Sequence, residues 1–288
     1  MLWVLLAFTF LISFGHANYL PENNIRIPVD SINSGMNEKQ FHAAIDKVEK
    51  IYSPLVKEHG AKLRINREWK NERVNATTTR TVDSKVWIIN LFGGLARHPE
   101  ITPDAFTLVI CHELGHHLGG APKKKRGDPL TSYWASTEGE ADYYATLKCL
   151  RRVFANEDNE LLLENVNIPD FVQTSCQKSF QTEHEKAICI RSTLAGGAVS
   201  RMGAAVKFRK MPQFEITDSR VVTTTYPEHP ASQCRLDTYI NGALCRADYR
   251  ENISDINYLV GACYTGKIHT SGARPFCWFR PQAGKPHE

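Results

Sequence analysis

The chain has 288 residues, 42% of them hydrophobic and 23% charged, which is enough for one substantial core or two small domains and too apolar for a disordered chain. Its formal net charge of +4 is too slight to suggest a nucleic-acid partner, which wants a strongly basic face.

The opening "MLWVLLAFTFLISFGHA" carries an apolar run from Leu2 to Phe14, then the small residues Gly15 and Ala17. Residues 1–17 read as a signal peptide, with the mature chain starting at Asn18, and an uncleaved anchor as the alternative. The run is too short to span a bilayer comfortably and no later segment approaches that length, so no stable membrane insertion is expected. Eight cysteines agree with an oxidising compartment, which makes the protein an exported one, periplasmic or secreted.

Residues 18–35 form an extended lead-in, and 36–288 form the domain. From Asn37 the apolar residues Phe41, Ala44, Ile45, Val48, Ile51, Tyr52 and Leu55 recur at three and four, which marks a helix with Asn37 and Gln40 as its capping box. "LRINREW" and "SKVWIINLF" have the β-branched and aromatic content of strands and are expected to build a small antiparallel sheet. "ITPDAFTLVICHELGHHLGG" is the best-bounded helix: Thr102 caps it, Pro103 fits its first turn, and Gly119-Gly120 stops it. Its apolar residues point in nearly every direction, so it should run through the core. A second helix starts at "STEGEADYYA", with Thr137 and Glu140 as a capping box, and a third covers Glu183 to Val206. The fold class is therefore α+β.

Residues four apart on a helix lie one turn above each other, so His112 and His116 can reach one metal ion from the same side. Glu113 lies beside that ion without having to bind it, where a base for an activated water belongs. A third ligand is needed. The longer motif that places a third histidine six residues on fails, because that position is Pro122. Glu138, at the start of the next helix, is the preferred ligand. Asp142 follows one turn later on the same face, placed to hydrogen-bond a ligand imidazole. Glu140 is the rival ligand, but it points to another side of the helix.

The pairing of His-Glu-x-x-His with Glu138-Gly139-Glu140-Ala141-Asp142 resembles gluzincin metallopeptidases, above all the HtpX and CaaX-prenyl-protease family. The likeness runs from about Asn75 to Leu236 and takes in Asn75-Ala76, the strand Val86 to Leu91 with "GGL" after it, and "HPASQCRL". In this chain the loop between His116 and Glu138 is shorter than is usual in that family, whose members often carry transmembrane helices. The resemblance implies a zincin-type fold holding one zinc ion on His112, His116 and Glu138. It also places His229, in an H-P-x-x-x-x-R setting, across the metal, with Arg235 as the matching arginine. Tyr226 is an alternative to His229, and Tyr226 and Arg235 are candidates for oxyanion or substrate contact.

The reading at this point is an exported zinc endopeptidase in which Glu113 is the general base and His229 or Tyr226 steadies the oxyanion. Its partner is a polypeptide bound as an extended strand along "SKVWIINLF". The competing readings are a non-catalytic, zinc-stabilised binding protein and a zinc hydrolase of a non-peptide envelope substrate. The basic run Pro122 to Gly127 reads as a solvated loop. In the cysteine-rich segment 230–288, proximity pairs Cys234 with Cys245 and Cys263 with Cys277, and leaves Cys111, Cys149, Cys176 and Cys189 open.

Overall fold

A computed structural model describes residues 17–32, 35–124, 134–207, 209–264 and 271–281. The apolar run Leu2–Phe14 and residues 125–127 of the basic run lie outside them. In chain order the elements are β1 (Ala17–Asn18), α1 (Glu38–Glu58), β2 (Lys62–Glu68), β3 (Ala76–Arg80), β4 (Val86–Phe92), α2 (Gly93–Ala96) and α3 (Pro103–Leu118). There follow α4 (Glu138–Tyr144), a π-helical turn (Ala145–Cys149), α5 (Leu150–Phe154), α6 (Asp170–Ser179), α7 (Glu183–Val206) and α8 (Ser232–Leu244). No helix among these residues is long and apolar enough to cross a membrane.

The four-stranded sheet has the order β1-β3-β4-β2. β3 and β1 run antiparallel to their neighbours, but β2 pairs in parallel with β4, Leu63 opposite Trp87 and Ile65 opposite Ile89. The sheet is thus mixed rather than antiparallel. After β2 the chain crosses to the far side, lays down β3, and then inserts β4 between the two. That insertion also removes β4 as a docking edge for substrate, because β3 and β2 already satisfy it on both sides.

Alternation along β4 turns Trp87, Ile89 and Leu91 into the core, where they meet helix α3 and share one cluster with the buried face of α1. Helix α1 starts at the reciprocal Asn37–Gln40 capping box and buries Phe41, Ile45, Val48 and Tyr52. Helix α3 is buried from Ala105 through His117 and packs against α1, α4 and α7 as well as β3. Thr102 accepts from the Ala105 amide at its start, and at its end Gly120 takes the left-handed φ of +74° that glycine adopts without strain. Each large aliphatic side chain buried in this layer stabilises the fold by about 1.5–3 kcal/mol.

The disulfides are Cys111–Cys149, Cys176–Cys189, Cys234–Cys277 and Cys245–Cys263. The proximity pairs Cys234–Cys245 and Cys263–Cys277 are therefore wrong. Cys234 and Cys245 stand at opposite ends of α8, and a helix of that length holds its two ends too far apart for one S–S bond. Each cysteine reaches instead into the segment that follows.

Candidate metal centre

Two elements converge on one point. His112 and His116 project from α3, and Glu138 projects from the first turn of α4. Glu138 Oε2 lies 3.3 Å from His112 Nε2 and 3.6 Å from His116 Nε2, and the three donor atoms are all within 4.8 Å of one another. The crossing is close because Gly115 faces Ala141, where an added Cβ would come 2.8 Å from the Ala141 carbonyl oxygen. All three side chains, and Glu113, are fully buried.

Their outer partners fix which lone pairs remain. His112 Nδ1 donates to Asp142 Oδ1 at 2.7 Å, and His116 Nδ1 donates to the Ser136 carbonyl at 2.9 Å. Both rings therefore turn Nε2 toward Glu138. Those two nitrogens, Glu138 Oε2 and both oxygens of Glu113 are buried without a hydrogen-bond partner. Such a cluster is costly to bury unless a cation and a water complete it. Two imidazole nitrogens and one carboxylate oxygen make a donor set that could hold a borderline divalent ion.

Asp142 is itself gripped. Arg235 donates to it twice, Nε to Oδ2 at 2.8 Å and Nη2 to Oδ1 at 2.7 Å, and Tyr239 donates to Oδ1 at 2.5 Å. Burial alone would raise the Asp142 pKa, but Arg235 and His112 outweigh it and bring it to about 2. Arg235, read from the sequence as an oxyanion or substrate contact, is 6% exposed and is held in this ion pair. It orients a ligand imidazole through Asp142.

The electrostatics of the bare cluster follow from burial. Burial pushes His112 down, but Asp142 and Glu138 override it and raise its pKa to about 9. His116, with no carboxylate on its outer nitrogen, is driven by burial to about 3. Burial pushes Glu113 up to about 8. Glu138 is held well below its usual range; burial opposes this, but His116, His229, His112 and Lys124 together outweigh it.

The remaining candidates divide. His229 Nε2 stands 3.4 Å from Glu138 Oε2 and donates to the Asn18 carbonyl at 2.7 Å. Tyr226 is 45% exposed, with its amide on the Trp278 carbonyl. Glu140 takes a two-point ion pair from Arg274, Nε to Oε2 at 2.5 Å and Nη2 to Oε1 at 2.7 Å, away from the histidines. Thr137 caps α4 by accepting from the Glu140 amide, but with the Glu140 side chain on Arg274 the box is only half made.

Sequence reasoning missed two participants. Lys124, inside the basic run read from the sequence as a solvated loop, is instead buried with Nζ 2.5 Å from Glu138 Oε1, so it occupies one carboxylate oxygen and leaves the other to face the histidines. Tyr19 sets its ring edge-on to His112 with centroids 5.0 Å apart, and nothing in the lead-in announced it. The third histidine of the run, His117, is turned away: Nε2 is bonded to Thr78 Oγ1, Nδ1 accepts from Arg80, and the ring lies between Trp87 and Trp134.

No protein-family model matches the chain, and comparison with curated proteins and with solved structures returned no match.

Proposed function

We infer that the protein is a zinc-dependent endopeptidase of the zincin type, resembling the HtpX and CaaX-prenyl-protease family, and that it works after export. The observation that carries this reading is the set of partnerless buried atoms: two Nε2 lone pairs and one carboxylate oxygen facing each other, with the bare Glu113 carboxylate beside them. A structural ion would need a fourth protein ligand and would give Glu113 no task. Export is supported by the four disulfides and by the apolar opening of the chain.

Zinc held by His112, His116 and Glu138 would supply Lewis acidity to a carbonyl and to a water. Glu113, buried beside the three donors, takes the proton from that water and passes it to the leaving amine. His229 carries its proton on Nε2, since it donates to a carbonyl, and the same N–H steadies the carbonyl oxygen as it gains charge. Asp142 and Arg235 keep His112 in the tautomer that exposes Nε2. Lys124 holds Glu138 Oε1 so that Oε2 faces the metal.

The complete burial of the cluster favours a second reading, a zinc staple without catalysis. Two substitutions separate them. Glu113→Gln should keep about one zinc per chain and lose ~10²–10⁴-fold of the hydrolysis of an unfolded protein, because an amide accepts no proton. Glu138→Gln should lose zinc and hydrolysis together and melt lower when assayed with zinc. Unchanged cleavage by Glu113→Gln would refute the peptidase mechanism. Cleavage of cell-wall fragments in place of protein, abolished by chelator, would move the reading to a non-peptide bond.

A further inference from the structure

Each donor of the centre is held from behind by a group that takes its other polar atom. His112 Nδ1 is on Asp142, His116 Nδ1 is on the Ser136 carbonyl, and Glu138 Oε1 is on Lys124 Nζ at 2.5 Å. The imidazoles lose nothing by this, since each keeps the one nitrogen that can face an ion. Glu138 does lose something, because a free carboxylate can bind an ion through both oxygens. Only its Oε2 is turned to the histidines.

The lysine is fixed in this place by the backbone around it. The segment joining α3 to α4 closes in a short bridge, with Lys123 opposite Ser136 and the Lys124 amide donating to the Ala135 carbonyl at 2.7 Å. The Ser136 amide donates to the His116 carbonyl at 2.9 Å and Ser136 Oγ to the Gly120 carbonyl at 2.7 Å, which ties the bridge to the end of α3. One bridge therefore carries two of the outer contacts, the carbonyl behind His116 and the ammonium behind Glu138. The other carboxylate near Lys124, on Glu228, is exposed and stands at 3.7 Å. An ammonium behind a ligand carboxylate repels every divalent ion alike. Its effect on the number of oxygens offered differs from ion to ion.

We propose that Lys124 selects the ion: by holding Glu138 to one oxygen it limits the protein to three donor atoms, which suits a four-coordinate ion such as zinc and disfavours manganese, which takes about six ligands, mostly oxygen. The inference rests on the metal-centre reading given above and adds to it the residue that sets the choice of metal. Charge and ligand number can be told apart. Repulsion is the same for ions of equal charge, whereas a second carboxylate oxygen adds most for the ion with the larger coordination number.

The test reads metal binding and not hydrolysis. The full chain and its Lys124→Met variant are stripped with chelator and titrated with Zn²⁺, Co²⁺ and Mn²⁺ against a fluorescent metal indicator, with melting followed in the same buffers. Whatever change is common to the three ions, the preference for Zn²⁺ over Mn²⁺ should shrink by at least ~10-fold in Lys124→Met. A change equal for all three ions would mean that Lys124 acts through charge alone and would overturn the proposal. The parent chain gives a second reading that does not require the variant to fold. Its Co²⁺ adduct should show the intense visible bands of a four-coordinate site, and these should weaken in Lys124→Met. Weak bands in the parent, as for a site of higher coordination number, would also overturn the proposal. Failure of the parent to bind any of the three ions would bring down the metal centre and the proposal with it. An unchanged preference with zinc bound counts against Lys124 alone and leaves the Glu113→Gln test of hydrolysis as it was.

Discussion

Asp142 shows how much of the centre is decided away from the metal. Its two oxygens take bonds from His112, Arg235 and Tyr239, all buried. Arg235→Met would leave that carboxylate buried and uncompensated, a loss of ~3–5 kcal/mol. Arg235→Lys should recover only part of it, because an ammonium does not reproduce the two-point contact. Asp142→Asn should weaken zinc binding ~10–100-fold; melting and zinc titration would check all three. The same residues set a pH dependence. Folding raises His112 from 6.5 to about 9, so in the metal-free chain the stabilisation from its proton is complete below pH 6.5 and is lost as the pH rises through about 9. Glu113, raised to about 8, adds to the same slope, since its ionised form is disfavoured in the fold. Melting of chelator-treated protein between pH ~6 and ~10 should therefore fall with pH, whereas zinc affinity should rise, because zinc displaces these protons. A melting point that climbs over that range would contradict this assignment. The four-residue spacings of His112 with His116 and of Glu138 with Asp142 could be read directly, because a helix makes sequence distance into geometry. The roles of Lys124, Tyr19 and Arg235 could not, since they depend on which distant segment each one meets.

Helices were legible where their signals are local. Thr102 and Pro103 mark the start of α3, and Asn37 with Gln40 marks that of α1; α7 spans the predicted Glu183–Val206. The strand composition of β2 and β4 was legible too, but the threonine-rich β3 was not, nor was strand direction, because β2 is parallel to β4 only through a crossover that no local residue encodes. Helix α8 escaped notice, since its apolar residues are spread around it and its start, Ala231, carries no capping side chain. Cys111 stands beside His112 on α3 and is bonded to Cys149, in the turn that follows α4, so one covalent link joins the two ligand helices. The double variant Cys111→Ala/Cys149→Ala should lose ~2–5 kcal/mol of stability yet still bind about one zinc, because the ligands are oriented by Asp142, Ser136 and Lys124. Calorimetry and metal analysis of the variant would decide; loss of zinc at full stability would mean that the disulfide positions the ligands.

Cys245–Cys263 is nested inside Cys234–Cys277, and this pairing draws the last part of the chain back over α8 and α4. The outer link seats Trp278 against Gly139, where a Cβ would meet the indole at 2.2 Å, and Trp278 Nε1 donates to Thr238. Arg274 arrives with the same segment and neutralises Glu140. Sequence proximity misled here because it describes the unfolded chain. There the Cys234–Cys245 loop is about a quarter the length of the native one, an entropic lead of ~1 kcal/mol at ~0.6 kcal/mol per doubling. Reduced protein refolded in oxidant alone should therefore accumulate that wrong link first and recover only after thiol exchange is allowed. Non-reducing peptide maps taken through the time course would show it; direct appearance of the nested pairs would not fit.

The contact of Gly115 with Ala141 gives the stretch His112 to His116 two meanings written over the same letters. In the proposed mechanism its histidines and Glu113 carry the chemistry, whereas Gly115 touches neither and holds the place only because backbone lies where a side chain would go. A randomised library selected for folding alone should keep Gly115 and release Glu113, and one selected for turnover should keep both. Half of what looks like an active-site signature in this chain is in fact an instruction for how closely two helices may cross.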